Sequence, residues 1–352
     1  MGWSSWNAFG CAIDEKLIRE MADAMVTSGM AAAGYEYVNV DDCWMAPERA
    51  ADGRLQADPV RFPSGMAALA DYVHANGLKL GIYSSAGTKT CQGLPASLDH
   101  EEIDAVTFAE WGVDLLKYDN CFNQGRPAIE RFKVMGDALE ASGRDIVYSI
   151  CEWGDAQPWT WGRDARGHYW RTSGDIVDGW GSVVAILTQQ AGLSRYSGPG
   201  GWNDPDMLQV GNGGMLTTEY RAHMSMWALL NAPLIAGNDL RSMDSTTRDI
   251  LTNPEVIAVD QDWAGVGGER ISDVGDLQIW AKPMSQGGAA VVLFNGGPAG
   301  AEMATSAGDL DLPDADEYDV RDVWAHTTAV TTGTVSAWVP PHGATMLVVS
   351  PR

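Results

Sequence analysis

The chain has 352 residues, 45% of them hydrophobic, and sets 47 acidic against 23 basic side chains for a formal net charge of −24. That size and apolar content suit an ordinary soluble globule built as one large domain, with or without a small second one. Nucleic acid, phosphorylated substrates and anionic membranes all call for clustered Lys and Arg, so the charge disfavours them and a neutral substrate is expected. No apolar run approaches the length of a membrane span, and motif-like sequence follows Met1 at once without a cationic-then-apolar leader, as expected after removal of a leader.

Strand candidates recur along the chain with helix-like stretches between them. Gly2 to Trp6 is the first and Tyr35 to Val40 the second, running into Asp41-Asp42-Cys43-Trp44. Leu78 to Tyr83 is the third. Leu115-Leu116-Lys117-Tyr118-Asp119 is the fourth, an apolar run breaking into a polar loop. Asp145 to Ile150, His168 to Thr172, a weaker run into Gly200 to Asp204, and Pro233 to Gly237 complete eight. Between them Glu15 to Val26, Met66 to His74, Glu101 to Trp111, Ala128 to Ala141 and Thr218 to Leu230 carry apolar residues at helical spacing. Eight such alternations in about 260 residues match an α/β (β/α)8 TIM barrel over residues 1–265. The competitor is a doubly wound open sheet, but no GxGxxG follows a strand, which disfavours a dinucleotide fold. From 266 to 352 the helical pattern stops, and short β-type runs near 276–281, 289–295, 318–324 and 345–349 predict a small antiparallel β-sandwich domain.

The five cysteines are Cys11, Cys43, Cys91, Cys121 and Cys151. None stands at CxxC spacing, so zinc is disfavoured and no metal site is expected. Cys11 and Cys43 follow the first two strands, while Cys91 and Cys121 follow the third and fourth. Neighbouring strands of a parallel barrel bring their following loops side by side. Bridges Cys11–Cys43 and Cys91–Cys121 are therefore expected, leaving Cys151 free, and structural bridges imply an extracellular or other oxidising compartment.

Catalytic groups of such barrels sit where the strands end. Trp6, Asp41, Asp42, Tyr83, Lys117, Asp119, Cys151, Glu152, Arg171, Asp175, Asp204 and Asp206 all fall there. Each acid alone is ordinary in so acidic a chain; so many at one rim are harder to dismiss. Paired acids beside a tryptophan suit cleavage of a glycosidic bond, because an indole face matches the apolar face of a sugar ring. Retaining hydrolysis needs an ionised nucleophile and a protonated acid about 5–5.5 Å apart. Asp119 lies two residues from Lys117 on the same side of its strand, an arrangement expected to keep the carboxylate charged. Asp175, on a flexible loop four residues after Arg171, would be raised by desolvation and lowered by that arginine.

The chain resembles the α-galactosidases of glycoside hydrolase family 27. The resemblance is carried by Met1-Gly2-Trp3-Ser4-Ser5-Trp6-Asn7, Val40-Asp41-Asp42-Cys43-Trp44, Gly53 to Asp58 with Arg61-Phe62-Pro63, Lys117-Tyr118-Asp119, Cys151-Glu152-Trp153-Gly154, Arg171 to Asp175, and Gly198 to Met207. These stretches cover nearly the whole barrel, whereas the β domain is matched only loosely. The resemblance implies Asp119 as nucleophile and Asp175 as general acid/base. It implies Asp41 and Asp42 on the far hydroxyls of galactose and Trp6 as the aromatic wall under the ring. Tyr83, Lys117, Glu152 and Arg171 would line the pocket, with Cys151 and Trp153 close by. It agrees with the two bridges and implies no metal or organic cofactor. The implied partner is a small or oligosaccharide substrate ending in α-galactose; oligomeric state is left open.

Ser85 departs from the pattern, since many relatives have Asp there, which bears on specificity. Gly154-Asp155-Ala156 after Glu152 resembles plant and fungal α-galactosidases rather than α-N-acetylgalactosaminidases. A β-L-arabinopyranosidase is the near alternative; the intact Asp41-Asp42 pair favours galactose. A non-catalytic sugar-binding barrel, and a metal-assisted enzyme using Asp41, Asp42 and Glu152, are further readings. Trp44, Trp111, Trp153 and Trp202 read as packing residues. Asp204 and Asp206 flank Pro205 in what a capped turn would explain, and His74, His100, His168 and His223 are expected to take no part in catalysis.

Overall fold

The computed structural model describes residues 1–352. Eight parallel strands alternate with helices along the first part of the chain. The strands are β1 Gly2–Ser4, β2 Tyr37–Asn39, β3 Lys79–Ser85, β4 Leu115–Asp119, β5 Val147–Cys151, β6 Tyr169–Arg171, β7 Trp202–Asp204 and β8 Ile235–Ala236. The helices are α1 Trp6–Phe9, α2 Glu15–Thr27, α3 Gly65–Ala75, α4 Glu101–Glu110, α5 Ala128–Ala141, α6 Trp180–Gln190, α7 Thr217–Leu229, α8 Ser245–Leu251 and α9 Pro254–Asp260.

The chain forms two compact units, one of Met1–Asp175 with Ile235–Met243, the other of Ile176–Leu234 with Asp244–Arg352. Within the first unit the strands lie in the order β6-β5-β4-β3-β2-β1-β8. β7 lies in the second unit. The order decides between the two expected architectures. β1 pairs in parallel with both β2 and β8, Gly2 opposite Tyr37 and Ile235. A first strand lying beside the last is what a barrel requires, and an open doubly wound sheet does not produce it. The Trp3 indole reinforces the join by donating to the Asn238 carbonyl at 2.8 Å.

Local chemistry accounts for the elements. In α2 the Asp14 carboxylate accepts from Leu17 N at 2.7 Å, and Leu17, Ile18, Met21, Ala22 and Met25 form the buried stripe. α8 and α9, which apolar period alone does not reveal, start on similar caps: Asp244 accepts from Thr247 N, and Asn253 from Glu255 N, with Pro254 in the first turn. α6 begins at Gly179 with no side-chain cap, and Val183, Ile186 and Leu187 form its buried face.

In the second unit, β9 Glu269–Val274, β10 Leu277–Pro283, β11 Ala289–Asn295, β12 Ala301–Ser306, β13 Tyr318–Asp322, β14 Thr327–Thr331, β15 Thr334–Val339 and β16 Gly343–Pro351 make two antiparallel sheets. One has the order β14-β13-β16-β11-β10-β9, the other pairs β12 with β15. Ile279, Val291, Leu293 and Leu347 from the larger sheet share a core with Met303, Val335 and Val339 from the smaller. β11 is buried along its whole length because α7 packs on the same sheet, which is why its sequence reads as an unbroken apolar run.

Both expected disulfides are present, Cys11–Cys43 and Cys91–Cys121, with Cα separations of 5.3 and 5.1 Å. The second ties the loop after β3 to the loop after β4. Those loops also meet at Gly87, where a Cβ would lie 1.8 Å from the Cys121 carbonyl oxygen. Since the opposing atoms are backbone, Gly87→Ala should destabilise the protein by about 1–3 kcal/mol through overpacking. Thermal or urea unfolding of the variant measures this, and an unchanged midpoint would contradict it.

Candidate functional site

β3, β4 and β5 end level with one another, and this register assembles the site. Tyr83 lies opposite Lys117, and Ser85 opposite Asp119, in the β3–β4 pairing; Asp119 lies opposite Cys151 in the β4–β5 pairing. Asp119 is the last residue of β4 and is buried. Its Oδ1 accepts from Asn120 N at 2.8 Å and its Oδ2 accepts from the Tyr83 hydroxyl at 2.8 Å. The Cys91 sulfur lies 3.3 Å from the same Oδ2. Since that sulfur is in a disulfide it has no proton to give, and the approach is a contact only. For the same reason the grouping of Cys91, Cys121 and Asp119, whose ligand atoms lie within 4.8 Å of one another, offers no thiolates to a metal.

Lys117 takes a different place from the one its spacing suggested. Its ammonium pairs with Asp41 Oδ2 at 2.8 Å and stands 5.5 Å over the Tyr83 ring. Burial raises the Asp119 carboxyl above the ordinary Asp range; Lys117, the Asn120 N–H and the Tyr83 hydroxyl pull the other way without cancelling it. Lys117 thus favours the charged form of Asp119, as their spacing suggests, but burial acts against it and is the larger influence.

Asp41 and Asp42 are both buried where the chain leaves β2. Asp41 accepts from Asp42 N at 2.9 Å as well as from Lys117, and its own N–H donates to Ser5 Oγ at 3.0 Å. Asp42 accepts from Cys43 N at 2.7 Å and from Gln92 N at 3.0 Å, and burial raises its carboxyl. Trp6 opens α1 and is half-buried, in contrast to Trp3 and Trp44 in the core. Trp44 is a packing residue whose indole donates to the Tyr83 carbonyl at 2.8 Å.

At the end of β5, Cys151 is buried and unbridged, and desolvation pushes its thiol well up. Glu152 bends back over its own loop, both carboxyl oxygens accepting from Ala156 N at 3.0 and 2.9 Å. Trp153 follows in the left-handed region at φ 67°, half-buried. Gly154 is required next, since a Cβ there would stand 2.7 Å from the Thr172 carbonyl. Arg171 at the end of β6 is buried and donates to the Ser173 carbonyl at 3.0 Å and to Asp175 Oδ1 at 3.1 Å. The Asp175 side chain is 68% exposed, so the desolvation expected of its loop is not present here.

Ser85 is buried, its hydroxyl donating to the Cys121 carbonyl at 3.0 Å. An Asp at that position would present only acceptors to that oxygen when ionised. In the second unit, Asp204 Oδ1 accepts from Asp206 N at 2.8 Å and Asp206 Oδ2 from Ile176 N at 2.8 Å, the capped turn that their flanking of Pro205 suggested. His223 is buried there, accepting from Gln209 N, with its pKa pushed down to about 3, so it stays neutral. Two site features escape sequence reading. Asn120 supplies the N–H on Asp119, and Arg131 reaches Asn120 from α5.

Glu152 links the site to pH. Burial lifts its carboxyl from 4.5 to about 7. The folded protein therefore holds this proton more tightly than the unfolded chain, and the resulting stabilisation is complete below pH 4.5 and fades as pH rises toward 7. Glu152→Gln keeps an acceptor for Ala156 N and should flatten that decline. Urea unfolding of both proteins at the two ends of this window checks it, and equal losses would contradict it.

Residues 1–262 match the protein family described as alpha galactosidase A, and residues 274–349 match the alpha galactosidase C-terminal beta sandwich domain. An α-galactosidase of Coffea arabica is 53% identical over 354 residues, covering 100% of this chain and 93% of that one. An α-galactosidase of Cyamopsis tetragonoloba is 51% identical over 354 residues, covering 100% and 86%. The crystal structure of α-galactosidase I from Mortierella vinacea superposes with a TM-score of 0.95 at 40% identity, covering 100% of this chain and 96% of that one.

Proposed function

The chain belongs to the α-galactosidases of glycoside hydrolase family 27, and we propose that it removes terminal α-D-galactosyl residues with retention, through a covalent intermediate on Asp119. The protein is a glycoside hydrolase with α-galactosidase function. The observation that carries the mechanism is the setting of Asp119. A buried carboxylate at a strand end, held by two hydrogen bonds, is preorganised and partly stripped of water.

In this reading Asp119 attacks the anomeric carbon as the glycosidic C–O bond breaks. The leaving oxygen takes the proton of Asp175. Asp175, now a carboxylate, removes a proton from water, which releases galactose from the ester and restores both groups. Arg171 tethers Asp175 at the mouth of the loop, and bound sugar would supply the desolvation that the exposed carboxyl lacks. Asp41 and Asp42 accept from the far hydroxyls, and Trp6 stands under the ring. Tyr83, Lys117, Cys151, Glu152, Trp153 and Arg171 line the pocket. This chemistry is assigned to residues 1–265, and residues 266–352 to a separate β domain. The natural context is an oxidising compartment, a reading supported by the two disulfides.

Asp119→Asn should abolish hydrolysis of p-nitrophenyl α-galactoside while far-UV circular dichroism stays unchanged; retained turnover would refute the nucleophile assignment. A panel of aryl α-galactoside, aryl β-L-arabinopyranoside and aryl α-N-acetylgalactosaminide should show the first hydrolysed fastest. Asp175→Ala should cost on the order of 10²–10⁴-fold on an unactivated oligosaccharide, and much less on the nitrophenyl substrate, whose leaving group needs little protonation. Equal losses on both would argue against Asp175 as the acid.

A further inference from the structure

Arg131 stands in the first turn of α5 and is 4% exposed. Its three nitrogens all go to neutral acceptors: Nε to the Arg126 carbonyl at 3.0 Å, Nη1 to the Ala86 carbonyl at 2.7 Å and Nη2 to Asn120 Oδ1 at 2.8 Å. A buried cation whose hydrogen bonds all go to neutral oxygens, with Glu152 acting on it only through space, is a poor stabilising device, because its burial is incompletely offset. Burial accordingly pulls the Arg131 pKa below the ordinary arginine value.

The two far acceptors belong to the residues that hold Asp119. Ala86 N donates to the Asp119 main-chain carbonyl at 2.7 Å, and Asn120 N donates to the Asp119 carboxylate at 2.8 Å. One rigid guanidinium thus holds, through the Ala86 carbonyl and the Asn120 side-chain amide, the two residues whose N–H groups fix Asp119, across the loops that follow β3 and β4. Lysine, with a single point of charge on a flexible stem, could not span both.

From this geometry we infer that Arg131 is a positioning residue for the reaction, aiming the Asn120 N–H at the Asp119 carboxylate and fixing the carboxylate against the anomeric carbon. The inference rests on the assignment of Asp119 as nucleophile. An N–H donated to a carboxylate favours its charged form, so loosening that N–H raises the Asp119 pKa and moves the acid limb of kcat/KM to higher pH. The other groups facing Asp119 are Tyr83 from β3, Lys117 from its own strand, Asp41 after β2 and Cys151 from β5. None of them is altered in the variants below.

Arg131→Met and Asn120→Ala are to be assayed on p-nitrophenyl α-galactoside across pH, with kcat expressed per folded molecule. Each should lose on the order of a hundredfold in kcat with KM within about twofold of the wild type, as expected for misplacement of a reacting group. Each should also show the acid limb displaced upward, and Arg131→Lys should recover only part of the loss. A purely structural role would lower the unfolding midpoint and the folded fraction but leave the limb where it is. Should Arg131→Met fail to fold, Asn120→Ala decides alone, since it severs the guanidinium contact yet keeps the backbone N–H. An unmoved acid limb in Asn120→Ala overturns the inference. Asp119→Asn, run alongside, remains active only if the nucleophile assignment itself is wrong, so the two failures are distinguishable.

Discussion

Keeping a carboxylate at the end of an apolar strand sets two demands against each other. Removing water from Asp119 makes its charged form harder to maintain, and the same removal makes that form more reactive towards carbon. The structure answers with several modest opposing influences in place of one strong one. The Tyr83 hydroxyl holds one oxygen, the Asn120 N–H the other, and Lys117 contributes charge while paired to Asp41. The net result is a carboxyl raised above its ordinary value, because burial outweighs these opposing influences.

The remaining architecture follows from that placement. Parallel strands in register bring residues 83 and 117, and then 85, 119 and 151, to one level. A disulfide and a close backbone approach at Gly87 then hold the loops after β3 and β4 together. Lys117 joins this level to the acids after β2, because Asp41 is its partner. Removing any of these ties lets the end of β4 move, and the nucleophile role proposed for Asp119 would tolerate little movement.

Much of this was legible in the chain because periodicity follows burial. α5 spans Ala128–Ala141 as its apolar spacing indicates, and α2, α3, α4 and α7 lie within one or two residues of their sequence boundaries. β1 ends at Ser4, earlier than its sequence suggests, because Trp6 already turns into α1. α6 was not legible: it has no side-chain cap, and its run of Val, Ile and Leu reads equally well as strand. α8 and α9 are too short for a period to emerge, and only their Asp and Asn caps mark them. In the β domain, β9, β12, β14 and β15 face solvent along much of their length, so they lack the apolar runs that marked β10, β11 and β16. At the site, the acids at strand ends could be found from order and spacing. The pairing of Lys117 with Asp41, the folding of Glu152 onto Ala156 and the grip of Arg131 on Asn120 could not. They depend on side-chain direction across loops far apart in sequence.

The central claim is that the Asp119 carboxylate forms the bond to the sugar. A fluorinated galactosyl donor that forms its glycosyl-enzyme quickly and releases it slowly would trap that bond, and mass spectrometry of the digested protein would locate it. The account predicts one added sugar per chain, on the peptide holding Asp119, and none on Asp119→Asn. A sugar carried on any other residue, or none at all while the donor is still consumed, would contradict it.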